Sequence, residues 1–322
     1  MKPRFMLLCA ATLVVTLFGL PPAQAQTATP TPQPPKPPAK QDTPLKLATD
    51  LVSLKVTVTD SFGRVVTGLK QENFTVYDDK VKQEIAHFTE ADAPISIGII
   101  FDVSNSMGGI IQGSREALRR FIETSHEDDD FFLIGFNNRA KLIQDFTTSP
   151  DQVLGRLVLV KPGGMTALYD AVYLGVEKVQ QGRHQRRALL IISDGEENSS
   201  RYSEGELRRL MKEAGVQVYA IKIGGPWSYG TNVLSSLAEL TGGRSFVPFY
   251  DHGLSMLDIC TRIALELRHQ YSIGFYPTDA RAPVASHRVQ VKITAPKGLG
   301  RLSLTYKDRY ASFNQEAVKP AR

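Results

Sequence analysis

The segment Ile95–Phe101 (ISIGIIF) carries no charge and no polar alternation. Such a run reads as a strand buried on both faces, and a strand of that kind needs covering layers above and below it. The pattern recurs at Phe131–Phe136 and Ala188–Ile192, and Val216–Ile223 reads as a fourth strand. Between these runs the apolar residues change to helical spacing: Ala117-Leu118 with Phe121-Ile122, then Leu168–Val179, Glu206–Ala214 and Leu234–Leu240. Gly242-Gly243 supplies a helix stop, Arg244–Phe249 a short strand, and Leu254–Leu267 a long final helix. Strand–helix alternation of this kind across residues 94–267 predicts an α/β domain, a parallel sheet with helices on both faces.

The flanks follow a different period. Residues 45–93 alternate apolar and polar with period two from Val52, turn at Asp60–Arg64, and continue through the short strands Phe74–Tyr77 and Ile85–Phe88 around a tight Asp78-Asp79-Lys80 turn. These spacings predict antiparallel hairpins. Residues 268–310 return to strands at Gln270–Tyr276, His287–Thr294 and Arg301–Tyr306, before a tail at 311–322. Neither flank is long enough to bury a core alone, whereas together they match one β-sandwich. The expectation is a small sandwich built from both ends of the chain, with the α/β domain inserted in it or flanked by it.

Residues 1–25 have the form of a secretory signal: Lys2 and Arg4, an apolar stretch from Met6 to Leu20, then the small-x-small site Ala23-Gln24-Ala25. Cleavage there predicts a secreted, periplasmic or envelope protein with no membrane span left in the mature chain, and it removes Cys9. Cys260 then remains, on the inner face of the final helix, as a buried and inert thiol. Residues 26–44 include seven prolines and no large apolar side chain; they read as an extended, solvated linker. A net charge of +5, from 38 basic and 33 acidic residues, is mild and unclustered. It gives no ground for nucleic-acid binding.

Chemistry concentrates at strand ends. The first buried strand runs into Asp102-Val103-Ser104-Asn105-Ser106, a loop at Gly163-Gly164-Met165 presents Thr166, and the third strand ends in Ser193-Asp194-Gly195. In an open α/β sheet the carboxyl ends of the strands are where ligands bind. Asp102, Ser104, Ser106, Thr166 and Asp194 should therefore meet there. Two carboxylates and three hydroxyls, without imidazole or thiolate, suit a small hard cation of the Mg²⁺ type, whereas zinc would favour nitrogen or sulfur. Two carboxylates neutralise a divalent ion and no more, so it keeps the ability to take a further carboxylate from outside.

The pattern D-x-S-x-S, a later loop threonine, and D-G after a further strand resembles the metal-ion-dependent adhesion site of von Willebrand factor type A domains. The likeness covers roughly residues 94–267. The flanking VTVTDSFGRVVTGLKQENFTVYDD and LRHQYSIGFYP are similar to bacterial exported von Willebrand factor A-related proteins. The resemblance implies a Rossmann-like sheet and Mg²⁺ or Mn²⁺ held by the hydroxyls of Ser104, Ser106 and Thr166. It further implies that Asp102 and Asp194 bind directly or through water. The partner it implies is a protein with an exposed Asp or Glu, and the activity is adhesion without catalysis. In adhesion-type relatives, the resemblance implies, the final helix shifts axially when the metal changes ligand.

Other features read as structural. His126–Asp130 lacks the spacing of a calcium loop and reads as a solvated turn. Arg183–Arg187 has no interleaved aromatics for stacking on bases, and the six histidines show no metal-ligand spacing. Trp227, in the loop after the fourth strand, packs on its own loop or anchors a partner. There is no G-x-S-x-G elbow, Walker loop or G-x-G-x-x-G fingerprint. The leading expectation is an exported, metal-dependent protein-binding module. The alternatives are a structural envelope protein with a vestigial metal site and a metal-dependent hydrolase. Oligomeric state is not legible.

Overall fold

The computed structural model describes residues 51–224, 231–251, 253–278 and 286–311. The chain first forms β1 (Val52–Thr59), β2 (Phe74–Asp78), β3 (Val81–Gln83) and β4 (Ile85–Asp92). It continues through β5 (Ile95–Asp102), α1 (Ile111–Thr124), β6 (Asp130–Phe136), β7 (Ala140–Thr147), α2 (Pro150–Val158), α3 (Leu168–Val179) and β8 (Arg186–Ser193). Then come α4 (Glu204–Glu213), β9 (Gln217–Lys222), α5 (Thr231–Thr241), β10 (Ser245–Phe246) and α6 (Met256–Arg268). The last described strands are β11 (His269–Phe275), β12 (His287–Ile293), β13 (Ser303–Thr305) and β14 (Arg309–Tyr310). The signal and linker segments, Trp227 and residues 312–322 lie outside the described residues. Among the described residues no helix is long and apolar enough to cross a membrane.

The central sheet has the order β10-β9-β8-β5-β6-β7, parallel throughout except for β7 at one edge. Every residue of β5 and β6 is buried, as expected for strands covered on both faces. One face packs against α1, α2 and α6 through residues such as Leu118, Phe121, Leu157 and Ile263. The other packs against α3, α4 and α5 through Val172, Val176, Leu207, Met211 and Leu234. Gly175 lets α3 lie close over β5, since a Cβ there would come within 2.6 Å of Ile100 Cδ1. The polar edge strand β7 and the helix α2, which starts at Pro150, were not expected from the sequence.

Two further four-stranded antiparallel sheets, β13-β1-β11-β4 and β14-β12-β2-β3, share one core built from Val56, Phe74, Val76, Tyr271, Ile273 and Val291. Each sheet takes strands from both ends of the chain: Val52 pairs with Phe275 and Val76 with Val291. A sandwich drawn from both ends was expected, but its pairing differs from the hairpins read in the sequence. Only β2 and β3 form a hairpin within the N-terminal strands, and β1 and β2 lie in different sheets. The turn signals mark chain reversals correctly, yet β1 and β4 both pair across to β11.

The sandwich joins the parallel sheet at the end opposite the strand carboxyl termini. Two residues separate β4 from β5, and α6 passes into β11 with none between. The Arg186 guanidinium braces both crossings, donating to Ala93 O at 2.6 Å, to Gln270 Oε1 at 3.0 Å, and to Leu267 O. Other residues of the Arg183–Arg187 run are also engaged internally, Arg183 with Asp128 O and Arg187 with Gln180 O. The acidic run was expected to be a solvated turn, but Asp129 and Asp130 are buried, because Asp129 accepts from the backbone of Ile95 at 2.7 Å and of His126 at 3.0 Å and Asp130 opens β6. The inner face of α6 buries Ile259, Cys260, Ile263, Ala264 and Leu267. Burial pushes the Cys260 thiol up to about 12.

Candidate metal site

Asp102 is the last residue of β5 and is fully buried. With β5 between β8 and β6, its carboxylate sits at the middle of the sheet's carboxyl edge. Oδ1 accepts the Ser104 backbone N–H at 2.8 Å and Oδ2 accepts the Ser193 hydroxyl at 2.6 Å. The chain then makes a single 3-10 turn at Asn105–Met107. That turn carries Ser106 to the surface while Ser104 stays buried. The two hydroxyl oxygens stand 3.0 Å apart.

The Thr166 loop is pinned to this segment. Gly163 N–H donates to Val103 O at 2.8 Å and Asn105 N–H to Gly164 O at 3.3 Å. Gly164 holds φ of 87°, a conformation that favours glycine. Met165 N–H donates to Asn138 Oδ1 at 2.6 Å, and Thr166 N–H to Asn198 Oδ1 at 2.8 Å. Asn198 N–H returns a bond to Thr166 O at 3.0 Å. Thr166 is thereby clamped between the loops after β6 and β8, with 2% of its surface exposed.

Asp194 follows β8 directly and is 8% exposed. Its Oδ1 accepts from Glu196 N–H at 3.0 Å. Ser193 ties the two carboxylate-bearing segments together, because the oxygen that donates to Asp102 also accepts from Gly195 N–H at 3.0 Å. Burial raises the Asp102 carboxyl above the usual carboxylate range, and the Asp194 charge adds to the rise. Hydrogen bonds from Ser104 and Ser193 oppose it.

The sequence-derived set thus converges on one edge through three loops that bond to one another. The supporting roles of Ser193, Asn138 and Asn198 were not read from the sequence; the adjacency of Ser193 to Asp194 was the one local sign. The donor chemistry fits a small hard cation, since all five side chains offer oxygen. The 3.0 Å spacing of the Ser104 and Ser106 oxygens is also the edge of an octahedron with metal–oxygen bonds of about 2.0–2.1 Å.

Residues 97–197 match the family model described as the von Willebrand factor type A domain. An uncharacterized protein of Borreliella burgdorferi is 23% identical over 180 residues, covering 53% of this chain and 51% of the relative. An uncharacterized protein of Synechocystis is 23% identical over 155 residues, covering 47% of this chain and 36% of the relative. The matches therefore span about half the length of the first relative and about a third of the second. Among solved structures, a von Willebrand factor type A protein from Catenulispora acidiphila is 12% identical with a TM-score of 0.48. That likeness covers 83% of this chain and 75% of the other.

Proposed function

We propose that this chain is a metal-dependent protein-binding module of the cell envelope or exterior, whose carboxyl-edge site captures an Asp or Glu of a protein partner. The observation that carries the proposal is the hydroxyl pair of Ser104 and Ser106, 3.0 Å apart beside the buried Asp102 carboxylate. Ser104, Ser106 and Thr166 would hold Mg²⁺ or Mn²⁺ through their hydroxyls, and Asp102 and Asp194 directly or through water. A divalent ion held there, with a coordination position left open, supplies an acceptor for an outside carboxylate oxygen.

The chain's own residues do the rest. Asp102 and Asp194 balance a charge of two, so the site does not over-neutralise its ion. Ser193 and the Ser104 backbone fix both oxygens of Asp102, limiting reorganisation when the site fills. Ser106 is exposed, and Met165, next to Thr166, is 51% exposed, so the site opens to a macromolecule on that side. The five groups are two carboxylates and three hydroxyls, a donor set suited to holding a hard cation with a position left for an outside carboxylate. The location rests on the signal pattern of residues 1–25.

The test is retention of envelope proteins on the immobilised chain, in Mg²⁺ and in EDTA, with an Asp102→Ala chain alongside. Retention only by the wild-type chain and only with Mg²⁺ is expected. The same proteins held by both chains in EDTA would favour a structural component with a vestigial site.

A further inference from the structure

A second group of chemically distinctive side chains lies in the sandwich, away from the carboxyl edge of the parallel sheet. Asp78 ends β2, Asp79 begins the turn into β3, and His287 opens β12. Asp79 and Lys80 both take positive φ, 43° and 73°, which reverses the chain tightly over the start of β12. Antiparallel pairing of Asp78 with Val289 sets the register that brings His287 under the turn. Each of the three residues presents a donor atom within 4.8 Å of those of the other two.

The surroundings hold these groups in place but leave one of them unsatisfied. His287 Nδ1 lies 2.8 Å from Asp79 Oδ2, while Asp79 Oδ1 accepts Arg288 N–H at 3.0 Å. The Tyr310 hydroxyl donates to Asp78 Oδ2 at 2.8 Å, and its ring stacks on His287 with centroids 5.1 Å apart. Asp78 and His287 are each 7% exposed. Asp78 brings a carboxylate oxygen into the cluster, and its Oδ1 has no hydrogen-bond partner among the described residues. A buried carboxylate oxygen without a donor is expensive, and two adjacent carboxylates compound the difficulty. One half-exposed side chain, Asp79, gives access from solvent.

We propose that Asp78, Asp79 and His287 form a second metal site, specific for a Zn²⁺-type divalent cation, which clips the two ends of the chain together within the sandwich. Two carboxylates cancel the charge of the ion, and the imidazole nitrogen turns selectivity away from Mg²⁺ toward first-row metals. Three protein donors and a water complete a zinc coordination shell. Tetrahedral donors on zinc sit about 3.3 Å apart for bonds of about 2.0–2.1 Å. The widest separation the three donors can have, 4.8 Å, would close by about 1.5 Å as an ion binds. Tyr310 and the Arg288 backbone already orient the two carboxylates, the outer arrangement metal-bound groups require. Asp79 and His287 are 208 residues apart, so an ion bound by both stabilises the folded sandwich and not the open chain.

The test uses the full chain carrying Asp102→Ala, which disables the carboxyl-edge site and makes the outcome independent of the function proposed above. The metal-free protein is titrated with Zn²⁺ against a chromophoric chelator, in excess Mg²⁺, and its thermal midpoint is followed. One Zn²⁺ per chain and a raised midpoint are expected. Adding His287→Gln, or Asp79→Asn, should weaken Zn²⁺ by more than about 100-fold, beyond what losing an outer-shell partner costs. The midpoint rise should vanish with it. Asn keeps the left-handed turn that Asp79 occupies, so Asp79→Asn reads the site even where His287→Gln folds poorly. Zn²⁺ affinity in Asp79→Asn equal to that of its parent, or no Zn²⁺ bound by the parent, would overturn the proposal.

Discussion

Ser193→Ala removes one fully buried hydroxyl and leaves two groups unpaired. Asp102 Oδ2 loses a donor at 2.6 Å and Gly195 N–H loses an acceptor at 3.0 Å. A hydrogen bond to a charged group contributes about 1.5–3 kcal/mol and an orphaned buried amide costs about 1–3 kcal/mol. The two losses share one oxygen, so they do not add in full, and a destabilisation of roughly 2–4 kcal/mol is expected at pH 7. For a domain of this size that lowers the thermal midpoint by roughly 5–12 °C. The effect also carries a pH signature. Burial and the Asp194 charge raise the folded pKa of Asp102, and the Ser193 bond lowers it, so the substitution raises it further. A group whose folded pKa is raised gives its full stability below the unfolded value, about 3.9 for Asp, and loses it as pH rises through the folded value. The penalty should therefore be larger at pH 7 than at pH 4. Urea unfolding of both chains in EDTA at the two pH values measures it. A penalty at pH 7 under about 0.5 kcal/mol, the level of an unremarkable surface change, would refute the network. So would equal penalties at both pH values.

Tyr271→Phe removes a hydroxyl that accepts from Leu69 N–H at 3.1 Å and donates to Val66 O at 3.0 Å. It should destabilise by about 1–3 kcal/mol in guanidinium denaturation while leaving Mg²⁺ affinity unchanged. Cys260 is fully buried with its thiol pushed up to about 12, so a thiol reagent at pH 8 should label it only as the chain unfolds. Rapid labelling of the native protein would contradict that packing. Peptides of residues 45–92 or 268–310 alone should be unfolded, because β1 pairs with β11 and β2 with β12. A dispersed amide spectrum from either peptide would contradict the shared sandwich.

The buried strands β5, β6 and β8 were legible because burial on both faces leaves uninterrupted apolar runs, and α3 because its apolar residues keep helical spacing over its whole length. The strand β7 was not legible. As an antiparallel edge strand it has intermediate or exposed residues at every position, so no period survives in its composition. The helix α2 carries only a weak start signal, Pro150 directly after Ser149. Pairing in the sandwich is not legible for a different reason: turn residues fix where the chain reverses, and not which strand receives it. Asp102, Ser104, Ser106 and Asp194 lie at or just after strand ends, and Thr166 follows a glycine pair just before α3, so each carries a local sign of its place. Ser193 bonds across 91 residues to Asp102, and Asn198 across 32 to Thr166, partnerships that only folding creates. The Asp78–Asp79 turn was visible as a turn, but its approach to His287 across 208 residues leaves no mark in local spacing.

The most direct test of a metal-dependent binding site is a calorimetric titration of the full chain with Mg²⁺, compared with Asp102→Ala. Asp102 supplies half of the formal charge of the site and is fully buried at its centre. The wild-type chain should bind one Mg²⁺, and Asp102→Ala should bind none while keeping its folded circular dichroism spectrum. Equal Mg²⁺ affinity in the two chains would contradict the assignment.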